Sequence, residues 1–175
     1  MTNQRKILRI LIIAVATIGL SLGIRELFYL QSIHRSSLMV KMELPELIES
    51  SAVIVKGTVT DSIGTSRYYD DAGELVVGTR WNLEVTESLK GNAPESLTVR
   101  TLGGRYGLTE MWVEDEVEFV PGETTLVFLE IDPDSEDYRV IGNFQGHFTI
   151  QGDLAIQQES NESTPLAELV SQIQS

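Results

Sequence analysis

The feature that most limits the fold of this chain is a period of two that recurs through its central part. In Trp81-Asn82-Leu83-Glu84-Val85-Thr86 every second residue is apolar, so as a strand it turns one face to a core and the other to water. Trp81, Leu83 and Val85 are expected to face inward. The same reading makes Ala52–Thr60 a strand, with Val53, Val55 and Val59 on one face and Gly57 among them. A glycine inside a strand marks a bulge or a barrel corner. Ser96–Leu102 is a third strand, with Leu97 and Val99 inward. Thr124–Ile131 breaks the rule, because Leu126-Val127-Phe128-Leu129 runs without alternation. That pattern belongs to a strand covered on both faces.

Turn chemistry separates these segments. Lys90-Gly91-Asn92-Ala93-Pro94 and Pro121-Gly122-Glu123 are turns, and Asp132-Pro133-Asp134-Ser135-Glu136-Asp137 reads as a solvated acidic turn. Asp61–Leu75, rich in Asp, Gly and Ser, reads as a long hairpin loop, and Gly103-Gly104 opens an irregular stretch to Phe119. Tyr138–Ile141 and His147–Gln151 are expected to form a hairpin around Gly142-Asn143, and Gly152-Asp153 a tight turn into Leu154–Gln157. Short helices are expected at Leu44–Glu49, with Pro45 in its first turn, and at Pro165–Ile173, with Leu166, Leu169 and Val170 on one side. Many short strands with turns between them predict an all-β barrel or sandwich.

The first 30 residues obey different rules. Arg5, Lys6 and Arg9 precede fifteen uncharged residues, Ile10 to Ile24, which Arg25 and Glu26 close. A basic n-region followed by an apolar run is an export signal, and the positive-inside rule leaves Met1 in the cytoplasm. As a helix the run would span ~22 Å, short of the ~30 Å hydrocarbon core. Leu27, Phe28 and Tyr29 would then sit at the far interface. Ser21-Leu22-Gly23 offers an imperfect cleavage site. Two outcomes stay open: a single N-terminal helix anchors the chain in the cytoplasmic membrane, or the helix is cleaved and the chain is secreted. The expected organisation is therefore a signal or anchor at 1–30, a juxtamembrane spacer at 31–43, a β-barrel domain at 44–157, and a polar linker with a C-terminal helix at 158–175.

Charge narrows the partners. The formal net charge is -13, and residues 36–175 alone carry 8 basic and 25 acidic groups, a net of -17. Such a body repels phosphate backbones, so no nucleic-acid partner is expected. The chain has no cysteine, which removes thiol nucleophiles, disulfides and zinc–cysteine sites.

Ser51-Ala52-Val53-Ile54-Val55-Lys56-Gly57-Thr58-Val59, a loop, and then Glu84-Val85-Thr86-Glu87-Ser88-Leu89-Lys90-Gly91 resemble the first two strands of netrin-like domains. These include the tissue inhibitors of metalloproteinases. The segments also resemble a family of bacterial secreted proteins with a Leu-Lys-Gly turn, a Gly-Gly after the third strand and a Pro-Gly-Glu turn, here Gly103-Gly104 and Pro121-Gly122-Glu123. The resemblance spans roughly Leu44 to Ile150 and implies a small OB-like β-barrel with short flanking helices. Netrin-like inhibitors depend on cysteines that this chain lacks, so protease inhibition does not carry over.

Catalytic and metal motifs are sparse. His34 falls in the spacer, and His147 starts a strand opposite in direction to Phe148 and Ile150, at an expected surface or rim position. No Gly-x-Ser-x-Gly elbow accompanies either. Asp132-x-Asp134-x-Glu136 starts like an EF-hand loop but has Asp137 for the required glycine and Asn143 for the closing glutamate. Asp70, Asp71 and Glu74 offer a weak calcium cluster by the same logic. No cofactor or metal is expected. The candidate binding surface is Arg67, Tyr68 and Tyr69 in the first long hairpin with Arg105 and Tyr106 after Gly103-Gly104, because Arg and Tyr on glycine-flexed loops are what binding surfaces use. The expected function is a non-enzymatic extracytoplasmic module that binds a protein or a glycan. The alternative is a carboxylate-dependent hydrolase, calcium-assisted or not, on the same scaffold.

Overall fold

The computed structural model describes residues 31–36, 40–70, 72–132, 135–158, 160 and 162–175, so the uncharged N-terminal run lies outside the described residues. Within them the chain is mainly β. The strands are β1 (Gln31–Arg35), β2 (Val53–Tyr69), β3 (Leu75–Lys90), β4 (Ser96–Leu102), β5 (Gly104–Tyr106), β6 (Thr109–Val113), β7 (Thr124–Ile131), β8 (Tyr138–Val140), β9 (His147–Gln151), β10 (Leu154–Gln157) and β11 (Ser163–Pro165). Two short helices flank them, α1 (Leu44–Ser50) and α2 (Leu166–Ile173). Among the described residues no helix is long and apolar enough to cross a membrane.

The strands expected at Ala52–Thr60 and Trp81–Thr86 are the proximal half of a much longer hairpin. β2 and β3 pair antiparallel from Ile54↔Lys90 to Tyr69↔Leu75, so the stretch from Asp61 to Tyr69 is strand rather than the expected loop. Its polar side chains mislead because they stay exposed while the backbone pairs. Register shifts at Val59/Asp61 and Ser62/Gly64 absorb the local turn chemistry. A further shift between Lys56 and Gly57 is the bulge that the glycine predicted. A Cβ on Gly57 would collide with the Glu84 carbonyl oxygen.

β7 explains why its apolar run does not alternate. Val127 and Leu129 join Val53, Val55, Val59, Leu83, Leu97 and Val99 in one core. Leu126 and Phe128 point the other way, into a second core with Ile54, Phe148, Leu169 and Ile173. Both helices close that second core, α1 through Leu47 and α2 through Leu169 and Ile173. Glu43 and Glu46 form a capping box at the start of α1, with Pro45 in its first turn. At the other end of α1 the Lys90 ammonium donates to the carbonyls of Ile48, of Glu49 at 3.2 Å and of Ser51 at 2.8 Å, a cation on the exposed carbonyls of a helix C-terminus.

β8 and β9 do not form a hairpin with each other. Both lie along β7, β8 against Leu129–Ile131 and β9 against Thr125–Val127, joined by a 3-10 turn at Asn143–Gly146. β8 also meets β4 in parallel at Val99↔Tyr138. The pairings β7–β2–β3–β4–β8 therefore return to β7. Beyond β9, Gly152-Asp153 makes the expected tight turn into β10, and the segment read as a polar linker includes β11, which pairs with β10.

Two further expectations change. Part of the spacer is β1, which pairs in parallel with β6 from Gln31↔Thr109 to Arg35↔Val113. The stretch from Gly103 to Phe119, read as irregular, contains the β5–β6 hairpin, Gly104↔Met111 to Tyr106↔Thr109, with Gly107 at φ +61° in its two-residue turn. This three-stranded sheet packs on the distal half of β2–β3. Val76, Val77 and Met111, flanked by Ile33, Tyr68 and Val113, make a third small core there.

Gly57→Ala is expected to lower unfolding stability by roughly 1–3 kcal/mol, because the added methyl forces the bulge apart. At Gly78 a Cβ meets the Thr101 carbonyl oxygen at 3.4 Å, an ordinary contact, so Gly78→Ala should stay within about 1 kcal/mol of the parent. Urea denaturation of the two variants checks this, and equal losses would be the wrong result.

Candidate functional site

Strand ends bring arginines together on one side of the molecule. Arg35 of β1, Arg67 of β2, Arg100 of β4 and Arg139 of β8 line a groove of about 750 Å³ with Tyr68 and Tyr69. Six arginines occur in residues 31–175, so two thirds of them meet there.

Acidic partners neutralise three of the four. Arg35 reaches Asp70 at 3.2 Å and Glu74 at 2.6 Å. The Glu74 backbone N–H, and then Arg35, hold the Asp70 carboxyl below its ordinary range. Arg139 pairs with Glu130 at 2.7 Å. Arg100 pairs with Asp132 and lies 5.0 Å over the Tyr68 ring. Arg67 differs. Its guanidinium sits 5.3 Å over the Tyr106 ring, and among the described residues no carboxylate lies within ion-pair distance of it.

The structure joins the two segments proposed from sequence, although both are strands rather than loops. Thr65 Oγ1 donates to the Arg105 carbonyl at 2.9 Å, and the Arg67–Tyr106 stack bridges them. Arg67, Tyr69, Arg105 and Tyr106 are exposed, Tyr69 at 73%. Tyr68 is half-buried against the third core. Arg105 lies opposite Glu110 across the hairpin. Sequence reasoning missed Arg35, Arg100, Arg139 and Glu116. Arg100 follows Val99 in a clean alternation, which marks it as outward-facing but says nothing of what it faces.

Glu116 sits at the wall between the groove and a second cavity of about 220 Å³ lined by Trp81, Met111, Trp112 and Phe119. Burial pushes its carboxyl up to about 7, against the backbone N–H groups of Leu102 and Val117. In sequence it is one of four acids between Glu114 and Glu118, and nothing local distinguishes it.

His147 is not at a surface. It is 1% exposed, because β9 lies between β7 and β10 and its back face meets Phe119, with ring centroids 5.1 Å apart. Nδ1 lies 2.8 Å from Gln158 Oε1, and Nε2 is 3.3 Å from Glu123 Oε1. Two acids of the acidic turn are not solvated either, although Glu136 is exposed. Asp132 is 1% exposed and Asp137 8%. Arg80 forks onto Asp137 through Nε and Nη2, each at 2.7 Å. Asp71 and Asp134 of the two calcium motifs lie outside the described residues. Among the described residues no three His, Asp or Glu side chains converge to hold a metal ion.

Glu116 generates a pH dependence. Between its ordinary 4.5 and about 7, the folded chain keeps a proton that the unfolded chain has released, so stability falls as pH rises through that window. Glu116→Gln removes the titration. The variant should gain up to about 3 kcal/mol over the parent at about pH 8 and nothing at about pH 4, measured by denaturation at both. In a separate test, Arg100→Ala leaves Asp132 buried without its arginine and should cost roughly 3 kcal/mol at neutral pH. No family model and no curated protein matches the chain, so the chemistry of the groove is argued from its own residues.

Proposed function

We propose that this chain is a non-enzymatic binding module outside the cytoplasm, built on an OB-like barrel, that takes a protein or glycan partner at the Arg67–Tyr106 side of the groove. The pairings support the barrel. β2–β3, β3–β4, β8–β7 and β7–β2 are antiparallel and β4–β8 is parallel, a ring of five strands such as an OB barrel uses. The basic n-region and the uncharged run support export, either anchored by the N-terminal helix or secreted after its cleavage. The net charge of -17 over residues 36–175 argues against a nucleic-acid ligand.

One observation carries the binding reading. In a strongly acidic body, Arg67 is stacked on an exposed tyrosine at the groove with no carboxylate paired to it among the described residues. Arginine and tyrosine held rigid at a surface are the residue types that dominate recognition, and a flat tyrosine face suits a sugar ring or a peptide side chain.

The test is a binding screen of the full chain against neutral and acidic oligosaccharides and peptides. Arg67→Ala and Tyr106→Ala should each weaken a true ligand roughly tenfold with an unchanged melting temperature. A ligand indifferent to both changes would place recognition elsewhere.

The raised carboxyl of Glu116 between two cavities favours a second reading, a carboxylate-dependent hydrolase whose acid is Glu116. In that case Glu116→Gln abolishes turnover of a bound oligosaccharide. Turnover that survives this change removes the second reading.

A further inference from the structure

The β5–β6 hairpin ends in Tyr106-Gly107-Leu108, with Tyr106 41% and Leu108 50% exposed. Arg67 stacks on one face of Tyr106, and the rest of that ring and the Leu108 side chain stay open to solvent. What lies next to them is fixed by register. Parallel pairing sets Gln31 opposite Thr109, so the chain enters the described structure beside the tip. Paired strands lie about 5 Å apart, and Leu30 is one Cα step, about 3.8 Å, before Gln31. In sequence Gln31 directly follows Leu27-Phe28-Tyr29-Leu30, the apolar and aromatic edge of the N-terminal segment, as its partner Thr109 directly follows the tip.

We infer that Tyr106 and Leu108 rest on the bilayer surface from which the N-terminal segment emerges, making the β5–β6 hairpin a second membrane contact. The inference rests on the anchored form of the proposed function. Tyrosine is suited to this place, since its ring enters the interface and its hydroxyl stays among the headgroups. Charge agrees. Arg67 and Arg105 flank the tip and Glu110 lies opposite Arg105, an excess of one positive charge on an otherwise strongly acidic body. Anionic headgroups attract that end and repel the rest. Two side chains bind a membrane weakly by themselves. Here the anchor keeps them at the surface, and the tip sets the tilt of the domain, with the groove residue Arg67 beside the lipid.

The chain contains no cysteine, so single-cysteine labelling is clean. The full chain carrying Leu108→Cys, or Asp153→Cys in the exposed β9–β10 turn, is labelled with an environment-sensitive fluorophore. Each is reconstituted into vesicles of phosphatidylcholine with phosphatidylglycerol, with and without brominated acyl chains. Flotation with the vesicles reports the anchor independently. The expected result is flotation of both, with quenching by brominated lipid at least about twofold stronger at position 108 than at 153. Flotation with equal quenching overturns the hairpin contact and leaves the anchor standing. A blue shift at 108 without lipid quenching means that protein, such as a second copy of the chain, covers the tip, and this also overturns it. Failure to float overturns the anchor and the inference together. Because Leu108 is exposed, the substitution leaves the cores intact, and an unchanged melting temperature verifies it.

Discussion

Two arginines that face each other across a strand pair are the constraint around which this structure is arranged. Arg80 of β3 and Arg100 of β4 are direct partners in register, a like-charge pair that would weaken the sheet by itself. The β7–β8 turn supplies the answer. Asp137 takes Arg80 in a forked contact and Asp132 takes Arg100. Only one residue pair, Val99↔Tyr138, joins β4 to β8, so the backbone contributes little to that closure. The two ion pairs and the apolar residues behind them, Val99, Val140 and Tyr138, hold it. The same Arg100 reaches Tyr68, so one charge both closes the ring of strands and builds a wall of the groove.

β7 is the second organising element, for an apolar reason. Its alternate residues feed two cores on opposite faces, which is why no polar residue interrupts Leu126 to Leu129. The turn motifs behind the netrin-like resemblance serve this same architecture. Lys90 of the Leu-Lys-Gly turn caps α1 over the second core. Gly91, at φ +71°, has no room for a Cβ beside the Ala52 carbonyl oxygen. Such motifs specify how strands and helix meet and leave the ligand open.

Sequence pattern disclosed those parts of the fold whose two faces differ. Strand β4, the limits of β7, the bulge at Gly57 and both helices follow from local period and turn chemistry. What stayed hidden depends on partners distant in the chain. Asp61 to Tyr69 has loop composition, yet it is strand because β3 and the small third core support it. His147 alternates as a surface residue should, but Phe119 and Gln158 cover its outer face. Asp132 and Asp137 look like solvated acids until Arg100 and Arg80 arrive from other strands. At the site, Arg67, Tyr68, Tyr69, Arg105 and Tyr106 were visible in the sequence, whereas the gathering of Arg35, Arg100 and Arg139 around them and the burial of Glu116 were not. Titration of a carboxylate is set by what surrounds it in space.

The distribution of charge ties these observations together. Among the described residues most cations are engaged by acids or, for Lys90, by helix carbonyls. The surplus of acid therefore faces solvent, where it keeps the domain apart from anionic surfaces. Against that background Arg67, stacked on Tyr106 with no carboxylate paired to it among the described residues, is a local exception, and it occurs where the chain enters the described structure, beside the β5–β6 tip. A surface of this kind selects by orientation. The acidic body fixes which side can approach an anionic bilayer or an anionic partner, and the groove beside Arg67 lies on that side. On the proposed function, recognition and attachment share one edge of the small three-stranded sheet, the edge that the β5–β6 hairpin forms.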